Sequence, residues 1–219
     1  MRSHATDMRQ HAIRNREKIL EECGSRLVED AASHKGSWSG LFGNDNPIKL
    51  EVGSGKGQFI SNICQRDKDI NFLACEGGYN VFPRILQKAQ MFELSNLAVI
   101  PQYIADPCDL FEDGELSGIY LNFSDPWKKQ TAHRRLTHRS KLEGYRRICR
   151  PGSALEFKTD NDELFEFSLE EMAAIGLKPE TVVYDLYSSE LAEGNIPTEY
   201  EEKFTKNGLK IKYLRLIFT

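Results

Sequence analysis

Apolar positions along this 219-residue chain recur with a period of two in some stretches and of about 3.6 in others, and the two kinds of stretch take turns. Residues 1–30 are polar with a thin apolar stripe (Ile13, Ile19, Leu20, Leu27), which predicts a helical arm. Residues 31–47 are rich in Gly, Ser and Asn and read as a connector. Strand-like runs then follow at Ile48–Val52, Asn71–Cys75, Ala98–Ile104, Gly118–Phe123, Ser153–Thr159, Glu180–Leu186 and Lys210–Phe218. Helix-like runs interleave with them at Gln58–Arg66, Tyr79–Glu93, 136–150 and Leu164–Ile175. Strands alternating with helices predict an α/β fold around a mostly parallel, seven-stranded sheet. The last two strands have no clear helix between them, which predicts an antiparallel C-terminal hairpin. The chain therefore divides into an arm and connector, residues 1–46, and an α/β domain, residues 47–219.

Composition changes this picture little. Hydrophobic residues make up 40% and charged residues 28%, ordinary for a globular protein. No apolar run is long enough for a membrane span, and the N-terminus lacks the apolar core of a secretory signal. The five cysteines (Cys23, Cys64, Cys75, Cys108, Cys149) are scattered without a CxxC pair, which argues against a zinc site or disulfide framework and for reduced thiols in the cytoplasm.

Charge alters it more. The net charge is −4, yet nine Lys or Arg face one acid, Glu143, between Lys128 and Arg150. Between Asp160 and Glu202 thirteen acids face a single Lys178. Such segregation concentrates a positive field on one segment, the usual footprint of phosphate binding.

The most specific chemistry lies at the end of the first strand. Leu50-Glu-Val-Gly-Ser-Gly-Lys-Gly-Gln-Phe-Ile60 places Gly53, Gly55 and Gly57 at alternate positions between strand and helix. Glycine at that density turns the chain sharply and lets a ligand approach the backbone. A nicotinamide site would spell G-x-G-x-x-G without a preceding acid. Even spacing behind Glu51 suits a cationic ligand instead and points to S-adenosyl-L-methionine, on a Rossmann-like class I methyltransferase fold. Glu76, nineteen residues after Gly57 at the end of the second strand, is placed to accept the ribose hydroxyls. On the third strand Asp106 is the candidate for the adenine amine, with Tyr103 or Ile104 flanking the ring. Asp125 closes the fourth strand at the mouth of the same crevice and leads through Pro126 and Trp127 into the basic segment.

Over most of residues 48–204 the chain resembles the bacterial tRNA (guanine-N7)-methyltransferase family. The residues that carry the resemblance are the glycine loop, Glu76, Tyr120-Leu-Asn-Phe-Ser-Asp-Pro-Trp127, Arg134-Arg-Leu-Thr137, Phe157-Lys-Thr-Asp-Asn161 and Gly194-Asn-Ile-Pro-Thr-Glu-Tyr-Glu-Glu-Lys-Phe204. The resemblance implies methyl transfer to N7 of a guanine at position 46, in the variable loop of tRNA. It implies Glu51, Glu76 and Asp125 on the cofactor side, with Asp125 at the reaction centre; Gly53, Gly55, Gly57 and Asp106 join them on the reading of the residues alone, and the third-strand site does not align cleanly with the family. On the substrate side it implies Lys128 or Lys129, Asp160, Thr198, Glu199, Tyr200 and Glu201, and the basic segment itself adds Arg134 and Arg135. The chain departs from the family just after Trp127, where no second proline precedes the lysines. Its basic N-terminal arm is matched only by Arg2, Arg9, Arg14 and Arg16. The alternatives are a same-fold methyltransferase acting on another RNA, a protein or a small molecule, or an RNA-binding homologue with weak catalysis. Either a monomer or a homodimer fits.

Overall fold

The computed structural model describes residues 16–219; Ile13, Arg2, Arg9 and Arg14 lie outside the described residues. Seven strands form one sheet in the order β3-β2-β1-β4-β5-β7-β6. They are β1 (Ile48–Val52), β2 (Asn71–Cys75), β3 (Leu97–Ile100), β4 (Leu116–Asn122), β5 (Cys149–Thr159), β6 (Thr181–Val183) and β7 (Lys212–Ile217). The first five pair in parallel, whereas β7 runs antiparallel to both β5 and β6. The predicted hairpin is thus present, with β7 inserted between β5 and β6.

Helices cover both faces. Residues 16–23 (α1), α3 (Gln58–Arg66) and α4 (Pro83–Met91) bury Ile19, Phe59, Ile63 and Ile85 against one face. Helices α2 (Trp38–Phe42), α5 (Arg139–Ile148) and α6 (Asp162–Ala174) bury Trp38, Tyr145 and Phe165 against the other. The caps follow the sequence. Asn161 accepts the Leu164 amide at 2.7 Å at the start of α6, and Thr198 and Glu201 form a reciprocal capping box on α7 (Glu199–Lys206). No described helix is long and apolar enough to cross a membrane.

The differences from the sequence expectations have local causes. The third strand stops at Ile100 because Pro101 has no N–H to continue the ladder, and Tyr103 beyond it is exposed. The helix expected over 136–150 begins only at Arg139; the basic residues before it form a 3₁₀ stretch, Lys129–Arg134. The strand expected over Glu180–Leu186 keeps only Thr181–Val183, and the loop expected before the last strand contains α7. Residues 31–47 are no open connector. Trp38 is fully buried, its indole N–H donates to Leu110 O at 2.9 Å, and Glu115 accepts the amides of Gly36 and Trp38. The guanidinium of Arg16, the first described residue, stacks 3.4 Å above the ring of Tyr79.

Candidate active site

The parallel strands end on one rim, the place where an open α/β sheet binds ligands. On β1 the odd-numbered positions Lys49 and Glu51 face α3, and the chain then turns through three glycines with φ of 80°, 54° and 77° at Gly53, Gly55 and Gly57. The amides of Gly53 and Ser54 both donate to Cys75 O at the end of β2, at 2.8 and 3.1 Å, which locks the turn to its neighbour. A Cβ at Gly53 or Gly55 would meet no atom within 4 Å, so those positions border open space. At Gly57 it would press on Ile85 at 3.0 Å, so the third glycine serves the seating of α3 on α4.

Glu76 ties the next turn to this one. One carboxylate oxygen accepts from Gly55 N at 2.9 Å, the other from Gly78 N at 2.7 Å. Its orientation is therefore fixed by backbone, with lone pairs remaining on each oxygen.

Glu51 lies beneath the loop, 2% exposed. Its Oε1 accepts from Asn122 Nδ2 at 2.8 Å, while Oε2 is buried with no partner. Burial pushes its pKa up to about 7, against opposing hydrogen bonds from Asn122 and Ser54 and the charge of Lys158. An orphaned buried carboxylate oxygen costs free energy until a donor reaches it.

Beyond Asn122 the chain leaves β4 under backbone strain. Phe123 (φ 51°) and Trp127 (φ 20°) are non-glycine residues at positive φ, and they bracket Ser124, Asp125 and Pro126. Asp125, Lys128, Lys129 and Arg134 are exposed, and Arg134 stacks 3.6 Å over Trp127. Arg135 departs from expectation. It is only 3% exposed, donates twice to Trp127 O and once to Glu163 Oε1, and lies 4.5 Å from the Phe167 ring. With three of its five N–H donors on protein acceptors and its side chain buried, it shapes the loop. Asp106 is exposed and spends Oδ1 on Cys108 N at 2.9 Å, leaving Oδ2 toward solvent.

The segment over 187–206 crosses the same rim. Glu199 pairs with Lys56 in the glycine loop at 3.2 Å and with Lys88 on α4 at 3.3 Å; Gln58 donates to Glu202 at 2.9 Å. Tyr200 stands 60% exposed, Thr198 caps α7, and Asp160 is half-buried at the end of β5. Glu201 also turns inward. It is fully buried, and both its oxygens are taken by Lys158, Thr198 N, Asn195 and Tyr187, so no lone pair is presented to a base. Asn122 and Lys158, neither expected as site residues, sit opposite each other in the β4–β5 register and carry the polar contacts of this face. Both lay inside motifs that sequence reading had marked, and a buried polar residue ending an apolar strand was the available signal.

A family model described as "Putative methyltransferase" matches residues 45–214. A tRNA (guanine-N(7)-)-methyltransferase of Brevibacillus brevis is 42% identical over 93% of this chain and 95% of that protein. The chain belongs to the tRNA (guanine-N(7)-)-methyltransferase family. The Bacillus subtilis member is 43% identical over 88% of this chain and 91% of its own length. In three dimensions the crystal structure of the 16S rRNA methyltransferase KamB superimposes with a TM-score of 0.63 at 16% identity, covering 84% of this chain and 94% of that one. That likeness establishes the methyltransferase fold.

Proposed function

We propose that this protein transfers the methyl group of S-adenosyl-L-methionine to N7 of a guanine in tRNA, at position 46 of the variable loop. One observation carries the reading. Asn122 holds Glu51 under the glycine loop, and three residues later the same chain presents the exposed carboxylate of Asp125, so donor and acceptor halves share a strand end.

The residues fit the cofactor. The unpartnered Glu51 Oε2 supplies a negative acceptor for an ammonium group, the space over Gly53 and Gly55 admits a ligand, and the fixed carboxylate of Glu76 suits a ribose diol. Asp106 Oδ2 is free for an exocyclic amine. Bound there, the cofactor supplies a methyl group activated by a sulfonium. Guanine N7 has a lone pair and no proton, so attack needs no general base. Accepting that methyl group would leave the base cationic. Asp125 and Asp160 accept from N1–H and the 2-amino group, which orients N7 and stabilises the positive charge that develops. Adenine lacks that donor edge. Lys128, Lys129 and Arg134 sit on the exposed flank where the phosphates of a flipped nucleotide would pass.

Incubation with S-adenosyl-L-methionine and unmodified tRNA, followed by nucleoside analysis, is expected to give 7-methylguanosine. A transcript with adenine at position 46 is expected to give none. A product other than 7-methylguanosine would overturn the reading.

A further inference from the structure

We infer that Lys158 is a positioning residue that holds the acceptor-side segment over the donor loop by neutralising Glu201. Its ammonium is buried at the end of β5 and donates to Glu201 Oε2 at 2.8 Å, Asn195 Oδ1 at 2.9 Å and Ile196 O at 2.9 Å. Those three acceptors exhaust its donors and belong to a single segment, 195–201. Glu201 in turn accepts from Asn195 Nδ2 at 2.6 Å, Tyr187 at 3.0 Å and Thr198 N at 3.2 Å, so the fold of 187–201 is organised around one buried ion pair.

The segment reaches the donor side at its outer surface, through Glu199 to Lys56 and Lys88, and through Glu202 to Gln58. Lys158 supplies the inner attachment. On the sheet it stands beside Asn122, the partner of Glu51, so a row of polar side chains runs from the donor carboxylate on β1 across β4 and β5 to α7. Removing the ammonium leaves a buried carboxylate without its counter-charge, which is strongly unfavourable. The segment then shifts to hydrate Glu201, and the acceptor base loses alignment while the glycine loop and Glu76, bonded through backbone, stay in place. A misplacement of about 1 Å is enough to cost roughly 100-fold in rate.

A cavity of about 320 Å³ opens beside this ion pair, lined by Phe59, Tyr120, Glu156, Lys158, Asn195 and Tyr213 among others. It provides a route by which a small amine reaches a vacated ammonium site.

The inference rests on the proposed tRNA methylation, and the experiment separates the two. Lys158→Ala is compared with the wild-type protein for binding of labelled S-adenosyl-L-methionine, for kcat and KM on unmodified tRNA, and for rescue by ethylammonium. Tetramethylammonium, equally charged but without N–H donors, is the control. Cofactor affinity is expected to stay within about threefold and kcat to fall roughly 100-fold, with at least tenfold returned by ethylammonium and none by tetramethylammonium. A kcat near wild type, a parallel loss of cofactor affinity, or no amine rescue would each overturn it. Should Lys158→Ala fail to fold, Lys158→Met combined with Glu201→Gln removes both buried charges at nearly constant volume. With no carboxylate left uncompensated, that pair is expected to bind cofactor and to keep kcat within about tenfold of wild type, and a roughly 100-fold loss of kcat in it would overturn the inference. If wild-type protein forms a product other than 7-methylguanosine, the functional reading falls, while the same comparison on that product still tests Lys158.

Discussion

The donor rim and the acceptor loop are built by opposite means. Around Gly53–Gly57 the chain is held by backbone amides on Cys75 O and on the two oxygens of Glu76, with a buried carboxylate beneath. Around Phe123–Arg135 it is held by side chains: Arg135 on Trp127 O and Glu163, Arg134 on the Trp127 ring, and two non-glycine residues kept at positive φ. A cofactor has one shape, which a fixed cradle matches in advance. In the proposed reaction a nucleotide inside folded RNA has to be extracted and reoriented, and the strained, exposed loop would leave Asp125 accessible to it.

The sharpest way to break this contrast is Asp125→Ala. Turnover on tRNA is expected to fall about 100-fold or more, while cofactor affinity and melting temperature stay at wild-type values. Equilibrium binding and steady-state kinetics check it, and an equal loss of cofactor affinity would merge the two regions. Gly57→Ala tests the donor side. A methyl group at φ 77° facing Ile85 at 3.0 Å is expected to cost about 1–3 kcal/mol of stability and to weaken cofactor binding. Denaturant titration and calorimetry read both effects.

The two adjacent arginines sharpen the acceptor side. Arg134→Ala is expected to raise the Kd for tRNA several-fold at low salt and to reduce the salt slope of binding by about 1, with its thermal stability unchanged. Arg135→Ala is expected to lower melting temperature and to leave that slope alone, because the side chain is buried and bonded to Trp127 O and Glu163. A salt titration of tRNA affinity distinguishes them.

The smallest effect concerns Glu51. Its carboxyl holds a proton up to about pH 7 in the folded protein and loses it in the ordinary acidic range when unfolded. Stability from this group therefore declines as pH rises from about 4.5 through 7. Glu51→Gln is expected to raise the melting temperature of the ligand-free protein at pH 8 more than at pH 5. Wild-type affinity for S-adenosyl-L-methionine is expected to increase through pH 7, and the variant to lack that increase.

Much of the fold was legible because each element carries its own local signal. Ile48–Val52 alternates, the three glycines punctuate, and β1, β2 and β5 end where the pattern predicts. What stayed hidden was set by tertiary contact. Trp38, in a Gly- and Ser-rich stretch, is buried through partners more than seventy positions away, at Leu110 and Glu115. Helix α7 had its Thr-x-x-Glu cap in plain sight, yet the acids of that box read as substrate contacts. Burial and Lys158 turned Glu201 inward, and neither is visible in a charge pattern. Arg135 is buried beside exposed Arg134 for the same reason, since adjacent residues in an irregular loop point in different directions.

The rings of Phe123 and Phe204 lie 6.1 Å apart, joining the strained exit of β4 to the last turns of α7. Eighty-one positions separate them in sequence, so a chimera that imports a foreign 187–206 segment to change tRNA preference inherits only one of two interlocking parts. Redesign of acceptor choice in this scaffold is therefore a task for two exchanged blocks, the α7 segment and the turn after β4, moved together.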